Sequence, residues 1–445
     1  MNWVSGLLAQ RPLQGDVNVI CKHFFETDWR GLLCELPEPM LVLGNPPWVT
    51  NSELASLSSD NVPMKSNFQG HAGLDAITGK ANFDISEWMI VQLAEAMSGR
   101  LGTLAMLCKS SVARKVLSHC WKNSLAVERA AIYVIEADVH FDAAVDAVLL
   151  VIEFGSGKRT QEAPIYSGLE EMQPISVMGF RDEGLIADIP RFEQWRHLVS
   201  EVNAMKWRSG IKHDCAKVME LRRRDGKFWN GFGKAVDLED AYVYPMMKSS
   251  EVANDRDSDS RWMIVTQLSV GESTDDIRRR APMTWEYLSN YADLLANRRS
   301  SIYRNRPPFS VFGVGPYSFA PWKVAISGFY KRLNFSVIGG LEGKPIVLDD
   351  TSYFLPCQNA KQAAYLAALL NSTTARSFFD AYVFWDAKRP ITVDLLRRLD
   401  LRRLAQELGT EVEFADLVQP HIESGVRKPQ VRKNRSDSNL SLWPD

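Results

Sequence analysis

Four short apolar runs punctuate the first third of the chain: Met40-Leu41-Val42-Leu43, Gly102-Thr103-Leu104-Ala105-Met106-Leu107-Cys108, Ala130–Ile135 and Ala147–Glu153. Runs that are apolar at successive positions, rather than at every second one, predict strands buried on both faces. Between the first two, Phe83-Asp84-Ile85-Ser86 opens a helix to about Met97, with apolar Trp88, Met89, Val91, Leu93, Ala94 and Met97. Ser110-Ser111 caps another helix to about Cys120, and Val17–Cys21 reads as a further short strand. The alternation of strands with helices predicts an α/β domain built on a parallel sheet.

The first run ends at Gly44-Asn45-Pro46-Pro47-Trp48. Neither proline has a backbone N–H, and each fixes its own φ, so the strand stops there. Asn45 and Trp48 are thereby expected at the carboxyl end of the strand, the edge of an open α/β sheet where ligands bind. The polar stretch from Thr50 to Ala81, rich in Ser, Asn and Gly, reads as a loop over that edge.

Asn-Pro-Pro followed by an aromatic resembles the catalytic loop of DNA adenine-N6 methyltransferases. The N6 lone pair of adenine is delocalised into the ring and is a poor nucleophile. The resemblance implies that the Asn45 side-chain oxygen and the Pro46 carbonyl, with Pro47 setting the turn, accept from the two N–H bonds and free that lone pair. It also implies that Trp48 and Phe141 stack on a base swung out of the duplex. Phe83–Met97, Gly102–Cys108 and Phe141–Phe154 follow in the order of that family's later motifs.

Two departures stand beside this match. The family's glycine turn for S-adenosylmethionine, Phe-x-Gly-x-Gly, is absent ahead of Asn45, and Phe312-Gly313-Val314-Gly315 has the wrong spacing. Cys21-Lys22-His23-Phe24-Phe25 resembles the motif in which an Asp accepts from the cofactor's adenine amine, but this chain has His23. An imidazole accepts only when neutral. His23, Phe24, Gly44 and Asn45 are the positions expected beside the cofactor.

The resemblance implies an incomplete Rossmann-like methyltransferase sheet followed by an α+β target-recognition domain. Residues 1–158 form the C-terminal portion of the catalytic domain, 159–205 a connector, and 206–445 the target-recognition domain. Without the glycine-bearing strand, the Met40–Leu43 strand has an apolar, unpaired edge. The chain then reads as a truncated copy, or as half of a split enzyme whose N-terminal partner polypeptide carries the cofactor motif.

Composition narrows the partners. With 445 residues, 45% hydrophobic and 24% charged, the chain suits a soluble protein of two or three domains. No apolar run reaches membrane-span length, and no basic-then-apolar leader opens the sequence. The six scattered cysteines argue for a reducing bacterial cytoplasm and against a zinc site. The net charge of −2 hides an uneven distribution, −5 over residues 1–158 and +3 over 159–445. From Leu294 to Leu341 there is no Asp or Glu, yet Arg298, Arg299, Arg304, Arg306 and Lys323 are interleaved with aromatics. That pattern suits double-stranded DNA and points to a nucleoid-associated protein. The basic tail from Arg427 to Arg435 adds sequence-independent attraction.

Glu342-Gly343-Lys344 mimics a nuclease Glu-x-Lys but has no acidic partner nearby. The sequence therefore predicts a restriction–modification adenine-N6 methyltransferase, with a DNA-binding specificity module lacking catalysis as the alternative. Methylation of cytosine N4 or of glutamine side chains remains open at this point.

Overall fold

The computed structural model describes residues 20–49, 84–136, 146–181, 184–200, 205–254 and 261–418. The chain divides into two compact units, Met1–Pro190 and Arg191–Asp445. In the first, seven strands form one sheet: β1 (Met40–Gly44), β2 (Gly102–Lys109), β3 (Val127–Ile135), β4 (Ala147–Phe154), β5 (Glu162–Tyr166), β6 (Ser176–Arg181) and β7 (Gly184–Ile186). Their spatial order is β1-β2-β4-β3-β5-β6-β7. Strands β1 and β2 are parallel, as are β3 and β5, whereas β4 runs antiparallel to both its neighbours. The sheet is thus mixed rather than parallel. The link from Ile135 to Ala147 is too short for a helical crossover, so the chain returns antiparallel between β2 and β3.

Helices α1 (Trp29–Cys34), α2 (Ile85–Met97) and α3 (Ser110–Lys122) accompany this sheet. Asp84 caps α2 by accepting from the Ser86 N–H, and α3 starts directly after β2 with Lys109 as its N-cap. Registers and burial separate the two faces of the sheet. Leu104, Met106, Cys108, Val148, Leu150, Ile152, Ala130 and Ile132 are buried on the helical face. The other face of β1 to β4 carries no helix among the described residues. There Leu41 and Leu43 are 67% and 71% exposed, and Leu107, Leu149 and Val151 are half-buried. Strand β1 pairs only with β2, so its other edge is open among the described residues.

Residues 17–19 of the expected first strand lie outside the described residues, and Ile20 and Cys21 are not in a strand. The loop expected over Thr50–Ala81, Phe141 and the basic tail also lie outside them. The stretch expected as a connector instead contributes β5, β6 and β7 to the sheet, followed by a helix over Ile189–Trp195.

The second unit holds β8 (Arg208–Ser209), β9 (Glu220–Arg224), β10 (Lys227–Asn230), β11 (Ala235–Val236), β12 (Val243–Met247), β13 (Arg261–Ile264), β14 (Trp322–Ser327), β15 (Ser336–Ile338), β16 (Gly340–Leu341), β17 (Lys344–Pro345), β18 (Val347–Leu348) and β19 (Ser352–Cys357). They make sheets ordered β11-β10-β9-β13-β12-β18 and β15-β14-β19-β8, and the small hairpin β16-β17. Asp225 (φ 50°) and Gly226 (φ 76°) make the two-residue turn between β9 and β10, the geometry that an Asp-Gly pair favours. One core packs Leu221, Trp262, Ile264, Val347 and Leu288 together. Two helices, Ala360–Leu370 and Thr373–Asp380, follow β19. The second is capped by Ser372, which accepts from the Ala375 N–H.

Candidate active site

The Gly44–Trp48 loop leaves β1 at its carboxyl end, with the Asn45 side chain exposed, Pro46 buried, Pro47 exposed and Trp48 half-buried. Gly44 lies close against β2: a Cβ there would sit 3.0 Å from the Met106 sulfur. Three contacts hold the loop beyond the prolines. The Trp48 indole N–H points at the Leu107 carbonyl at 3.4 Å. The Lys109 Nζ donates to the Trp48 carbonyl at 3.1 Å, and the Ile85 N–H donates to the Val49 carbonyl at 3.0 Å.

Lys109 is itself fixed by the Asp84 carboxylate at 2.7 Å. The other Asp84 oxygen accepts from the Ser86 hydroxyl and N–H. This anchoring pair was missed in the sequence. Its signal was an acidic cap opening the helix that follows the loop, and a lysine at the carboxyl end of the neighbouring strand. Burial, and secondarily the Asp84 charge, push the Cys108 thiol up to about 12, which removes it as a nucleophile.

The arrangement presents one amide and one indole at a strand end, with the backbone behind them immobilised. Such a site can orient a planar group that carries hydrogen-bond donors. His23 and Phe24 are not joined to this loop by any hydrogen bond or ring contact among the described residues. Phe24 instead packs on Trp29, whose indole donates to the Phe24 carbonyl, and Phe25 packs on Trp88 of α2. The His23 Nδ1 is enclosed without a hydrogen-bond partner. A cleft of about 490 Å³ lies between α1 and α2, lined by Trp29, Gln92 and Glu95, but it does not include the loop.

Among the expected DNA-binding residues, Arg299, Arg304 and Arg306 are exposed. Arg298 serves the interior of its unit: it donates to the carbonyls of Leu295, His213 and Ser310 and stacks 3.6 Å from the Tyr303 ring centre. Lys323 is 1% exposed in β14 and donates to the Ala320 carbonyl, so it is not available to a partner. Glu342 and Gly343 form the β16-β17 turn at positive φ, with Glu342 paired to Arg223. That turn is structural.

A Type II methyltransferase, M.NspV of Nostoc sp. (strain ATCC 29411 / PCC 7524), is 44% identical over 390 residues, covering 87% of this chain and 81% of the relative. The chain belongs to the Type II methyltransferases. Among solved structures, the fold of this Type II methyltransferase matches the Type IIL restriction-modification enzyme MmeI, solved in complex with DNA. The TM-score is 0.51 and the identity 14%, over 87% of this chain and 49% of that one. The chain thus spans about half the length of that enzyme. The ATP-dependent Type ISP restriction-modification enzyme LlaBIII gives a TM-score of only 0.33, which carries no weight. No protein-family model matches the chain.

A Type II methyltransferase needs a methyl donor. Among the described residues β1 is paired on one edge, by β2, and Leu41 and Leu43 on it are exposed. Among the described residues no helix is long and apolar enough to cross a membrane, and no His, Cys, Asp and Glu cluster could hold a metal.

Proposed function

We propose that the chain is the catalytic-loop and recognition portion of a site-specific DNA adenine-N6 methyltransferase of restriction–modification type. The observation that supports this reading is the Asn45–Trp48 loop at the carboxyl end of β1, amide exposed and backbone pinned by Lys109 and α2. The Asn45 side-chain oxygen and the Pro46 carbonyl accept from the two N–H bonds of adenine N6, returning its lone pair to nitrogen. Trp48 holds the flipped base by stacking, with Phe141 as its counterpart. S-adenosylmethionine supplies the methyl group as an activated electrophile. Positioning therefore contributes most of the rate, and no covalent nucleophile is required. DNA is favoured over a glutamine side chain by the acid-free, arginine-bearing stretch 294–341, of which Arg299, Arg304 and Arg306 remain exposed. Adenine is favoured over cytosine N4 because Asn, rather than Ser, opens the loop.

The edge of β1 left unpaired among the described residues supports a second element of the reading: a complementing polypeptide segment adds a parallel strand there and brings the cofactor turn. A DNA-binding module without catalysis is the alternative. A methyl-transfer assay on duplex DNA in the presence of the flanking gene products, run beside DNA binding by the chain, separates the two readings. Transfer that depends on Asn45 supports the enzyme. DNA binding with no transfer under any complementation leaves the specificity module.

A further inference from the structure

Strands β9, β10 and β13 put five basic or aromatic side chains on one face of their sheet. The registers align Arg222 with Trp229 and with Arg261, and Arg224 with Lys227, so all five point the same way. Lys217, on the short helix Ala216–Met219, borders the same cleft of about 220 Å³, which Arg222, Trp229 and Arg261 also line. Lys217, Arg224 and Lys227 are exposed, and Arg222 and Trp229 are half-buried.

Two acids beside this face are engaged, while Asp225 lies exposed in the turn itself. Glu220 is held by Lys248 at 2.7 Å, Arg261 at 3.1 Å and His213 at 3.4 Å. Glu251 takes the Arg261 Nε at 3.2 Å. Arg223, on the opposite face, pairs with Glu342 and lies over Trp262, so it adds nothing here. Beyond its pairings with β13 and β11, the β9-β10 hairpin ends in a tip that carries Arg224 and Lys227, with Arg222 and the Trp229 indole behind it. Cations spaced along such a hairpin match a phosphate backbone, and a protruding tip can enter a DNA groove.

We propose that this hairpin face is a DNA-contact surface of the second unit, with Lys217, Arg224 and Lys227 on phosphates and Arg222 beside Trp229 at the groove. The assignment rests on the reading of the chain as a DNA-acting enzyme. It moves the contact away from Arg298 and Lys323, which the fold consumes internally.

The test uses the full chain and random-sequence duplex DNA, titrated at several salt concentrations. Arg224→Gln combined with Lys227→Gln removes two exposed charges at a hairpin tip, and unchanged thermal melting verifies folding. The surface predicts a slope of log affinity against log salt shallower by about 2, and binding about tenfold weaker near 0.15 M salt. Arg278→Gln with Arg279→Gln, exposed on the helix Asp276–Arg280, removes equal charge elsewhere and is expected to leave the slope unchanged. Equal slopes for the hairpin variant and the wild type overturn this surface while leaving the enzyme reading intact. No DNA binding by the wild type overturns both.

Discussion

The Lys109 ammonium lies 2.7 Å from the Asp84 carboxylate and 3.1 Å from the Trp48 carbonyl, tying the end of β2 and the start of α2 to the loop that follows Asn45. Lys109→Met leaves the nearly buried Asp84 without its counter-ion. Breaking one side of such a pair is expected to cost about 3 kcal/mol. Denaturant titration should show that loss, with Lys109→Met/Asp84→Asn recovering part of it. Methyl transfer should stay low in both, because the Trp48 carbonyl has lost its donor.

Asn45→Ala removes an amide that is exposed. Thermal melting is expected within a degree or so of wild type, while methyl transfer falls by about a hundredfold or more, the usual scale for deleting a group that orients and polarises the reacting atom. A parallel fall in stability would reassign Asn45 to the scaffold.

Much of this site was legible in the sequence. An apolar run stopped by Pro46-Pro47 has few other structures open to it, and an Asp-Gly pair between Arg224 and Lys227 leads to a two-residue turn. The destinations of the cations were not legible. Arg298 and Arg299 are neighbours, yet one binds three carbonyls inside its unit and the other faces out. Lys323 sits in a strand buried on both faces, where period-two patterning carries no information about which polar residue is enclosed. Composition counts charges without saying which ones tertiary packing has used. The antiparallel β4 was likewise hidden, because strand propensity does not encode direction.

Burial holds the Lys323 ammonium down to about 7 from 10.5. The folded chain therefore sheds this proton between pH 7 and 10.5, where the unfolded chain still keeps it. Stability should rise with pH through that window and level off below it. Lys323→Met is expected to abolish this slope between pH 7.5 and 9.5 and to stabilise the protein at pH 7. A variant whose stability profile runs parallel to wild type would contradict the assignment.

Burial raises the Glu220 carboxyl, but hydrogen bonds from His213 and Lys248 outweigh it and hold the group at about 2, below its usual 4.5. Its contribution is then complete above pH 4.5 and lost as pH falls toward 2. Glu220→Gln should be less stable at pH 7 and show a flatter acid limb in the same denaturation series.

Leu41 and Leu43 lie exposed on a strand whose second edge is unpaired among the described residues, and such an edge is a template for pairing with another chain. The chain alone is expected to self-associate at micromolar concentration in light scattering. Leu41→Lys with Leu43→Lys should reduce that association with little change in melting, since both side chains are largely exposed. Unchanged association would place the sticky surface elsewhere.

The most direct measurement of the central claim is nucleoside mass spectrometry on DNA from a strain without adenine methylation, carrying this gene and its flanking reading frames. N6-methyladenine is predicted with the wild-type chain and its disappearance with Asn45→Ala. A different modified base, or N6-methyladenine that survives Asn45→Ala, would contradict a transfer site at this loop.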